Sequence, residues 1–358
     1  MERVYVIAMD THCQFTEFFV TTPSGRSSQR GRTATTMPAL REIVRSVPRP
    51  RQVVFEEGPL AEWMVRGLLS EAERVVACNP RRNALIAKEG DKDDPIDAVK
   101  LNQLYRGGFT TPVHHPASFG RAAFKRLIAS YHEAVVRRSR LINATLAKLR
   151  WNGIFVRQTA LSAERQKATL ARLPGCGAIR TPIELLLDEI DQVDQHVDRL
   201  RRMVIRDARA HEAIRRLLAV PGIGWIRAAT FVAYIDTPWR FRSKSALWKY
   251  MGIGLQRRTS GGAAALVRVV PNMRVCRPLK NMILGAAGTV ILMKQQPFYD
   301  RYRRWCHEDI TPRNARRNVA RSLASVLWGM LKSGDVYHPE LVGGGSVAGG
   351  CTATATDG

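Results

Sequence analysis

The apolar pattern of this chain changes period once, near Ala117, and that change limits the folds open to it. Before it, short apolar runs alternate with helical stretches. After it, apolar residues recur every three or four positions over long distances. Val4 to Met9 reads as a buried strand ending on Asp10. Phe15 to Thr21 reads as a second strand, Pro23-Ser24-Gly25 as a turn, and Ser28 to Ala34 as a polar third strand. Thr35 or Thr36 can cap a helix with Pro38 in its first turn and Leu40, Ile43 and Val44 facing inward. Gln52 to Phe55 is a short apolar strand ending in Glu56-Glu57. Leu60 to Leu69 is helical, Arg74 to Cys78 a further strand, and Asp94 to Tyr105 a further helix.

Three strands followed by helix, strand, helix, strand, helix is the order of a ribonuclease H-like mixed sheet flanked by helices. Beyond Ala117, Phe124, Ile128, Tyr131, Val135, Ile142 and Leu149 form one apolar seam, with gaps at Arg138 and Thr145. Leu186, Ile190, Val193, Val197, Leu200 and Val204 form a second at heptad positions, which predicts an antiparallel helical hairpin. The same seam could serve a dimer contact. Leu173-Pro174-Gly175-Cys176-Gly177 falls in the connection. The expected fold is an α/β N-terminal domain over residues 1–115, a helical coiled-coil hairpin over 116–210 and a mostly α C-terminal domain over 211–340. Residues 341–358, rich in Gly, Ala, Thr and Ser, lack large side chains to bury and are expected to be disordered.

The formal net charge is +25, which calls for a polyanionic partner, since each phosphate contact releases counterions. Charge alone does not separate DNA from RNA, or an enzyme from a binder. No apolar run is long enough to span a membrane, and the N-terminal run ends on an acid, so a cytoplasmic protein without a signal peptide is expected. Cys13, Cys78, Cys176, Cys276, Cys306 and Cys351 show no zinc-site spacing and read as small hydrophobes of a reducing compartment.

The acids carry the most chemistry. Asp10 follows the first strand and Glu56 ends the fourth, while Asp94 and Asp97 share one side of a helix start. In a ribonuclease H-like sheet the first and fourth strands are neighbours, so four carboxylates from distant segments would converge. Their mutual repulsion calls for a cation, and Mg²⁺ or Mn²⁺ suits such hard oxygens. Each acid also has a plain reading. Asp94 before Pro95 is a good N-cap, Asp97 an N3 acid, and Asp10 a strand end. Glu57 and Asp93 are neighbouring alternatives.

In the last third, Arg257-Arg258-Thr259-Ser260-Gly261-Gly262 combines cations, a hydroxyl and glycines that allow close approach of a phosphate. It reads equally as a flexible Ser-Gly loop. No base lies nearby in sequence, so a nucleophilic Ser260 would need activation by the acidic residues. Pro221-Gly222-Ile223-Gly224, set between apolar helices, can present Gly222 and Gly224 N–H groups to phosphate or simply make a tight turn. Arg313, Arg316, Arg317 and Arg321 make a basic start to a helix that ends near Leu331. Trp225, Trp239, Phe241, Trp248 and Tyr250 are expected in the core.

Taken in order, Ile7-Ala8-Met9-Asp10-Thr11, Val54-Phe55-Glu56, Asp94-Pro95-Ile96-Asp97-Ala98, Pro221-Gly222-Ile223-Gly224, Ala233-Tyr234-Ile235, Ser260-Gly261 and Leu331-Lys332-Ser333-Gly334 resemble the DEDD transposases of insertion-sequence family 110, the bridge-RNA-guided recombinases. The resemblance implies a RuvC-like N-terminal domain whose metal-binding tetrad is Asp10, Glu56, Asp94 and Asp97. It also implies a C-terminal transposase domain with Ser260 as nucleophile, donor and target DNA as substrates, a structured guide RNA, and a homo-oligomer, dimer or tetramer. Two segments depart from the family pattern: Glu57-Gly58-Pro59 stands where relatives carry Ala-Thr-Gly, and Arg277-Pro278-Leu279-Lys280 where they carry a glycine before Leu-Arg. A RuvC-like nuclease that hydrolyses DNA without Ser260, or a non-catalytic nucleic-acid-binding protein, are the competing readings.

Overall fold

Strand alternation decides which side chains of the N-terminal sheet meet which helix. The computed structural model describes residues 4–80, 94–116, 118–162, 164–258, 268–271 and 275–343. It divides into two compact units, residues 1–123 and 124–358. In the first, β1 (Tyr5–Thr11), β2 (Phe15–Thr21) and β3 (Ser27–Ala34) form an antiparallel meander. After α1 (Met37–Ser46), β4 (Arg51–Glu56) pairs parallel to β1. After α2 (Ala61–Leu68), β5 (Arg74–Cys78) pairs parallel to β4. The sheet order is β3-β2-β1-β4-β5-β6, so the first and fourth strands are neighbours as the sequence predicts. The two-residue strand β6 (Pro112–Val113), antiparallel to β5, was not expected, being too short to carry a periodic signal.

Ile7, Met9, Val53 and Phe55 point to one face and are buried against Leu40 and Val44 of α1 and Met64, Val65 and Leu68 of α2. Val6, Ala8, Val54, Val76 and Cys78 point to the other, against Leu101 of α3 (Asp94–Arg106). Three polar residues fasten α3 to that face. The buried amide of Asn102 donates to the Val6 and Phe19 carbonyls at 3.0 and 3.3 Å and accepts from the Thr21 hydroxyl at 3.0 Å. Tyr105 O–H donates to Gln52 Oε1 at 2.6 Å, and Arg106 donates to the Thr22 and Pro23 carbonyls.

The second unit opens with the expected pair of long helices, α4 (Phe119–Trp151) and α6 (Gly177–Arg209). The short helix α5 (Gln166–Leu170) lies between them in sequence. Both gaps in the first seam have partners. Arg138 makes a bidentate pair with Asp194 across the hairpin, and buried Thr145 donates to the Leu141 carbonyl at 2.9 Å. The second seam differs from strict heptads. Ile183, Leu187, Ile190, Val193, Val204 and Ala208 are buried, whereas Leu186, Val197 and Leu200 are only half-buried. A straight helix drifts about 20° per heptad, and the two ends of α6 join different clusters. Ile183, Leu187 and Ile190 pack with Ile142, Leu149, Ile154, Leu161 and Leu173. Val204 and Ala208 pack with Phe124, Ile128 and the C-terminal helices.

Those helices are α7 (Glu212–Leu217), α8 (Trp225–Ile235), α9 (Lys244–Met251), α10 (Arg277–Leu292), α11 (Phe298–His307), α12 (Pro312–Ser333) and α13 (Pro339–Gly343). Phe231, Ile283, Ala286, Val290, Leu323 and Leu327 are fully buried among them. His132 of α4 meets the Thr230 hydroxyl of α8 at 2.9 Å, and burial pushes its pKa down, which favours the neutral ring there. Trp239 is a correction to the expected core: it is 70% exposed, its ring under the Lys332 ammonium at 4.9 Å. Of the expected disordered tail, residues 344–358 lie outside the described residues. No helix among the described residues is long and apolar enough to cross a membrane.

Asn102 gives a direct check on the sheet–helix junction. Asn102→Leu keeps the volume but leaves two carbonyls and a hydroxyl without their partner, at a cost of about 2–3 kcal/mol. Amide hydrogen exchange should speed up in peptides from β1, β2 and α3 while peptides from α10 and α12 keep wild-type protection. Unchanged protection throughout would remove Asn102 from this role.

Candidate active site

The carboxyl ends of β1 and β4 carry the first two candidate acids. Met9 pairs with Phe55, so Asp10 and Glu56 follow one residue later on adjacent parallel strands. By the two-residue repeat, Asp10 continues the face of Val6 and Ala8, and Glu56 that of Val54; this is the face α3 covers. The helix runs antiparallel to β1, since Asn102, Tyr105 and Arg106 all bond near the start of β1 and its neighbours. Asp94 begins α3, about 12 Å before Asn102 at 1.5 Å per residue. Asp10 lies about 13 Å beyond Val6 along its strand. The start of α3 and the end of β1 therefore reach the same level of the sheet.

Asp97 is exposed, and the side chain of Asp94 lies outside the described residues, as does Asp93. Among the described residues no three His, Cys, Asp or Glu side chains are close enough to hold a metal ion. The fold thus brings the ends of β1 and β4 together under α3 without drawing the described acids into a closed cluster.

Two histidines missed in the sequence sit among these acids. His12 Nε2 lies 3.2 Å from Asp10 Oδ2, and His115 Nε2 lies 2.6 Å from Glu57 Oε2. His12 was detectable, because it follows Asp10 by two, just past the end of β1. His115 was not, because 58 residues separate it from Glu57 and no periodicity links them. The His115 contact separates the rival glutamates. Glu57 lies past the strand end and is engaged by an imidazole whose side chain is only 10% exposed, while Glu56 is the last residue of β4.

In the second unit, β7 (Leu255–Arg258) pairs antiparallel with β8 (Arg268–Pro271), placing Arg257 opposite Val269 and Arg258 opposite Arg268. Ser260 lies between these strands in sequence, outside the described residues, as do the side chains of Arg257 and Arg258.

The two glycines of the α7–α8 turn differ. Gly222 has φ +75°, and a Cβ there would come within 2.8 Å of the Ala286 carbonyl oxygen and of Val290 Cγ2. Its own carbonyl accepts from Arg227 at 2.6 Å, and burial lowers the pKa of that guanidinium. Gly224 is the N-cap of α8 in extended conformation, with open space where a Cβ would stand. On α12, Arg313 is exposed, Arg316 donates twice to the Leu284 carbonyl, and Arg317 donates to Asn314 Oδ1 at 3.4 Å.

Residues 214–303 match the sequence model of the IS116/IS110/IS902 family of transposases. Over this segment the chain resembles these transposases. It is 26% identical over 315 residues to a probable family 20 transposase of Pseudomonas aeruginosa, covering 84% of this chain and 89% of that protein. It is 27% identical over 195 residues to an uncharacterized 42 kDa protein of insertion element IS900 from Mycobacterium paratuberculosis, covering 52% of this chain and 46% of that protein. The family match takes in Gly222, Gly224, Arg257, Arg258 and Ser260, and none of the four carboxylates.

The glycine turn yields a paired test. Gly222→Ala forces a left-handed residue and a clash with α10, so it should destabilise by at least about 1–2 kcal/mol and lower the melting temperature. Gly224→Ala meets neither obstacle and should melt like wild type. If the N–H at that turn serves a phosphate, only Gly224→Ala should weaken DNA binding in a folded protein. Equal stability of the two variants would contradict the packing described.

Proposed function

We propose that this transposase is a metal-dependent DNA recombinase that uses Ser260 as nucleophile, with Asp10, Glu56, Asp94 and Asp97 of a RuvC-like N-terminal domain as its acidic set. One observation carries the reading. Asp10 and Glu56 end adjacent parallel strands on the sheet face covered by the helix that begins Asp94-Pro95-Ile96-Asp97. The strand order β3-β2-β1-β4-β5 supports the ribonuclease H-like assignment.

The donor set fits a hard divalent cation, since carboxylate oxygens are the ligands that Mg²⁺ and Mn²⁺ take. Asp10 and Glu56 would hold it from the strand ends and Asp94 and Asp97 from the helix. When bound, such a cation neutralises phosphate charge and eases ionisation of a hydroxyl. His12 beside Asp10 can hold that carboxylate in one orientation. In the chemical step the Ser260 oxygen bonds to phosphorus, a P–O bond to one DNA end breaks, and the hydroxyl proton passes to a base of the acidic set. The freed DNA hydroxyl takes a proton in turn. The phosphoserine ester conserves the energy of the phosphodiester, so reversal by a new DNA hydroxyl rejoins strands without a nucleotide cofactor.

Arg257, Arg258, Gly224 and the exposed start of α12 at Arg313 would contact phosphate. The charge of +25 supports a polyanion beyond the DNA ends. The family resemblance supports a structured guide RNA as that partner and a homo-oligomer, dimer or tetramer, that holds the DNA ends.

Denaturing the reaction midway should trap DNA on the peptide containing Ser260. Ser260→Ala and Asp10→Ala should each lose both adduct and exchange while still binding nucleic acid. An Asp10→Ala protein with full activity, or a Ser260→Ala protein that still cuts, would sink the serine mechanism; the latter outcome selects a water-using nuclease. The glutamates should also separate. Glu56→Gln should lose at least about 100-fold in rate, as removal of a ligand does, whereas Glu57→Gln should keep activity within a few-fold. The reverse ranking would transfer the role to Glu57.

A further inference from the structure

Between α9, α11, α12 and the segment leading into α13 lies a cavity of about 750 Å³. Its wall includes Lys244, Trp248, Arg301, Trp305, Arg321 and Tyr337. Three polar atoms of these side chains are buried without a hydrogen-bond partner among the described residues: Trp248 Nε1, Arg301 Nε and the Tyr337 hydroxyl oxygen. Buried polar groups are nearly always paired, so three unpaired ones behind one wall mark side chains that would gain partners by a small shift toward a ligand in the cavity. The indole and guanidinium N–H groups can only donate, so the ligand must supply acceptors.

Charge points the same way. The Arg301 guanidinium donates to Ser322 Oγ, and Arg321 to the Ile253 carbonyl and Asn318 Oδ1. None of these partners is an anion. Burial lowers the pKa of both, and a neighbouring cation adds to it, Arg304 for Arg301 and Arg317 for Arg321. Two partly buried cations with no carboxylate bonded to either among the described residues favour a phosphate. Asp335, which also lines the cavity, is exposed. The wall is otherwise mostly aliphatic and small polar, but Trp248, Trp305 and Tyr337 offer faces and edges on which a base can stack. The volume falls within the roughly 300–1,000 Å³ range of small-ligand pockets. Ser333, in the Leu331–Gly334 segment to which the family reading gives no role, is also part of the lining.

We propose that this cavity holds one unpaired nucleotide, its base against Trp248, Trp305 and Tyr337 and its phosphate on Arg301 and Arg321. The proposal rests on the nucleic-acid reading above and adds a place for an extruded or single-stranded residue. An unpaired base exposes the stacking faces that a duplex hides, which is why an aromatic cavity selects it.

The test uses the full chain and short single-stranded oligonucleotides, one DNA and one RNA, each with a single 5-iodouracil for ultraviolet crosslinking. Adducts should map to peptides containing Trp248, Trp305 or Tyr337. Arg301→Gln should weaken single-strand binding on the order of tenfold, as loss of a charge-assisted hydrogen bond does. Tyr337→Phe, which removes one oxygen and cannot disturb packing much, should weaken it about threefold, with duplex affinity unchanged in both. Competition identifies the source. Displacement by adenosine monophosphate means a free nucleotide suffices, whereas displacement only by a strand means the nucleotide must be held within one. Displacement by inorganic phosphate as efficiently as by nucleotide overturns the role of the base. Strand binding with adducts elsewhere and both variants at wild-type affinity overturns the pocket alone. A protein that binds neither DNA nor RNA overturns the nucleic-acid reading itself.

Discussion

The side-chain amide of Asn102 bridges two strands of the sheet and one helix, and the geometry of the acidic end follows from that fixture. Its partners are backbone carbonyls of β1 and β2 and the hydroxyl of Thr21. Backbone carbonyls cannot move without disturbing the ladder, so α3 is indexed to the strands at a fixed level. Tyr105 and Arg106 add bonds at the same end of the helix. The opposite end, where the Asp-Pro-Ile-Asp segment starts, is left to be placed by helix rise alone. A helix tied at one end in this way holds its other, acidic end as a rigid lever rather than through loop entropy.

The hairpin of the second unit uses a different device. Its tip and its base each have an apolar cluster, and between them the seam is interrupted by the Arg138–Asp194 pair. A partly buried bidentate pair adds less net stability than apolar packing, but it fixes register, since a slip of one turn would strand both charges. Continuity of the base with α8, α10 and α12 makes the hairpin an extension of the C-terminal core, with His132 and Thr230 joining the two.

Arginine dominates the C-terminal helices, and much of it is spent internally. Arg227, Arg316 and Arg321 each donate to a backbone carbonyl of another segment, at Gly222, Leu284 and Ile253. Such contacts tie helices and turns to one another without burying a carboxylate, and they leave the unit strongly positive. The large formal charge therefore has two parts: cations that hold helices together and cations, such as Arg313, that remain exposed for a polyanion.

The sequence by itself determined the element order of the first unit as far as α3, the neighbouring of its first and fourth strands, the two long helices and the ordered motifs that point to the transposase family. These are local or periodic properties, carried by two-residue and 3.6-residue repeats and by Gly-Pro punctuation. Only the tertiary structure decided that Glu57 is taken by His115 and that Arg138 answers Asp194. The same holds for Gly222, which is needed for the approach of α10, and for Trp239, which stands in solvent while the Trp248 N–H is buried without a partner among the described residues. Each of these depends on residues tens of positions apart meeting across packed elements. No period or spacing in the chain encodes such a meeting until the helices and strands have been placed.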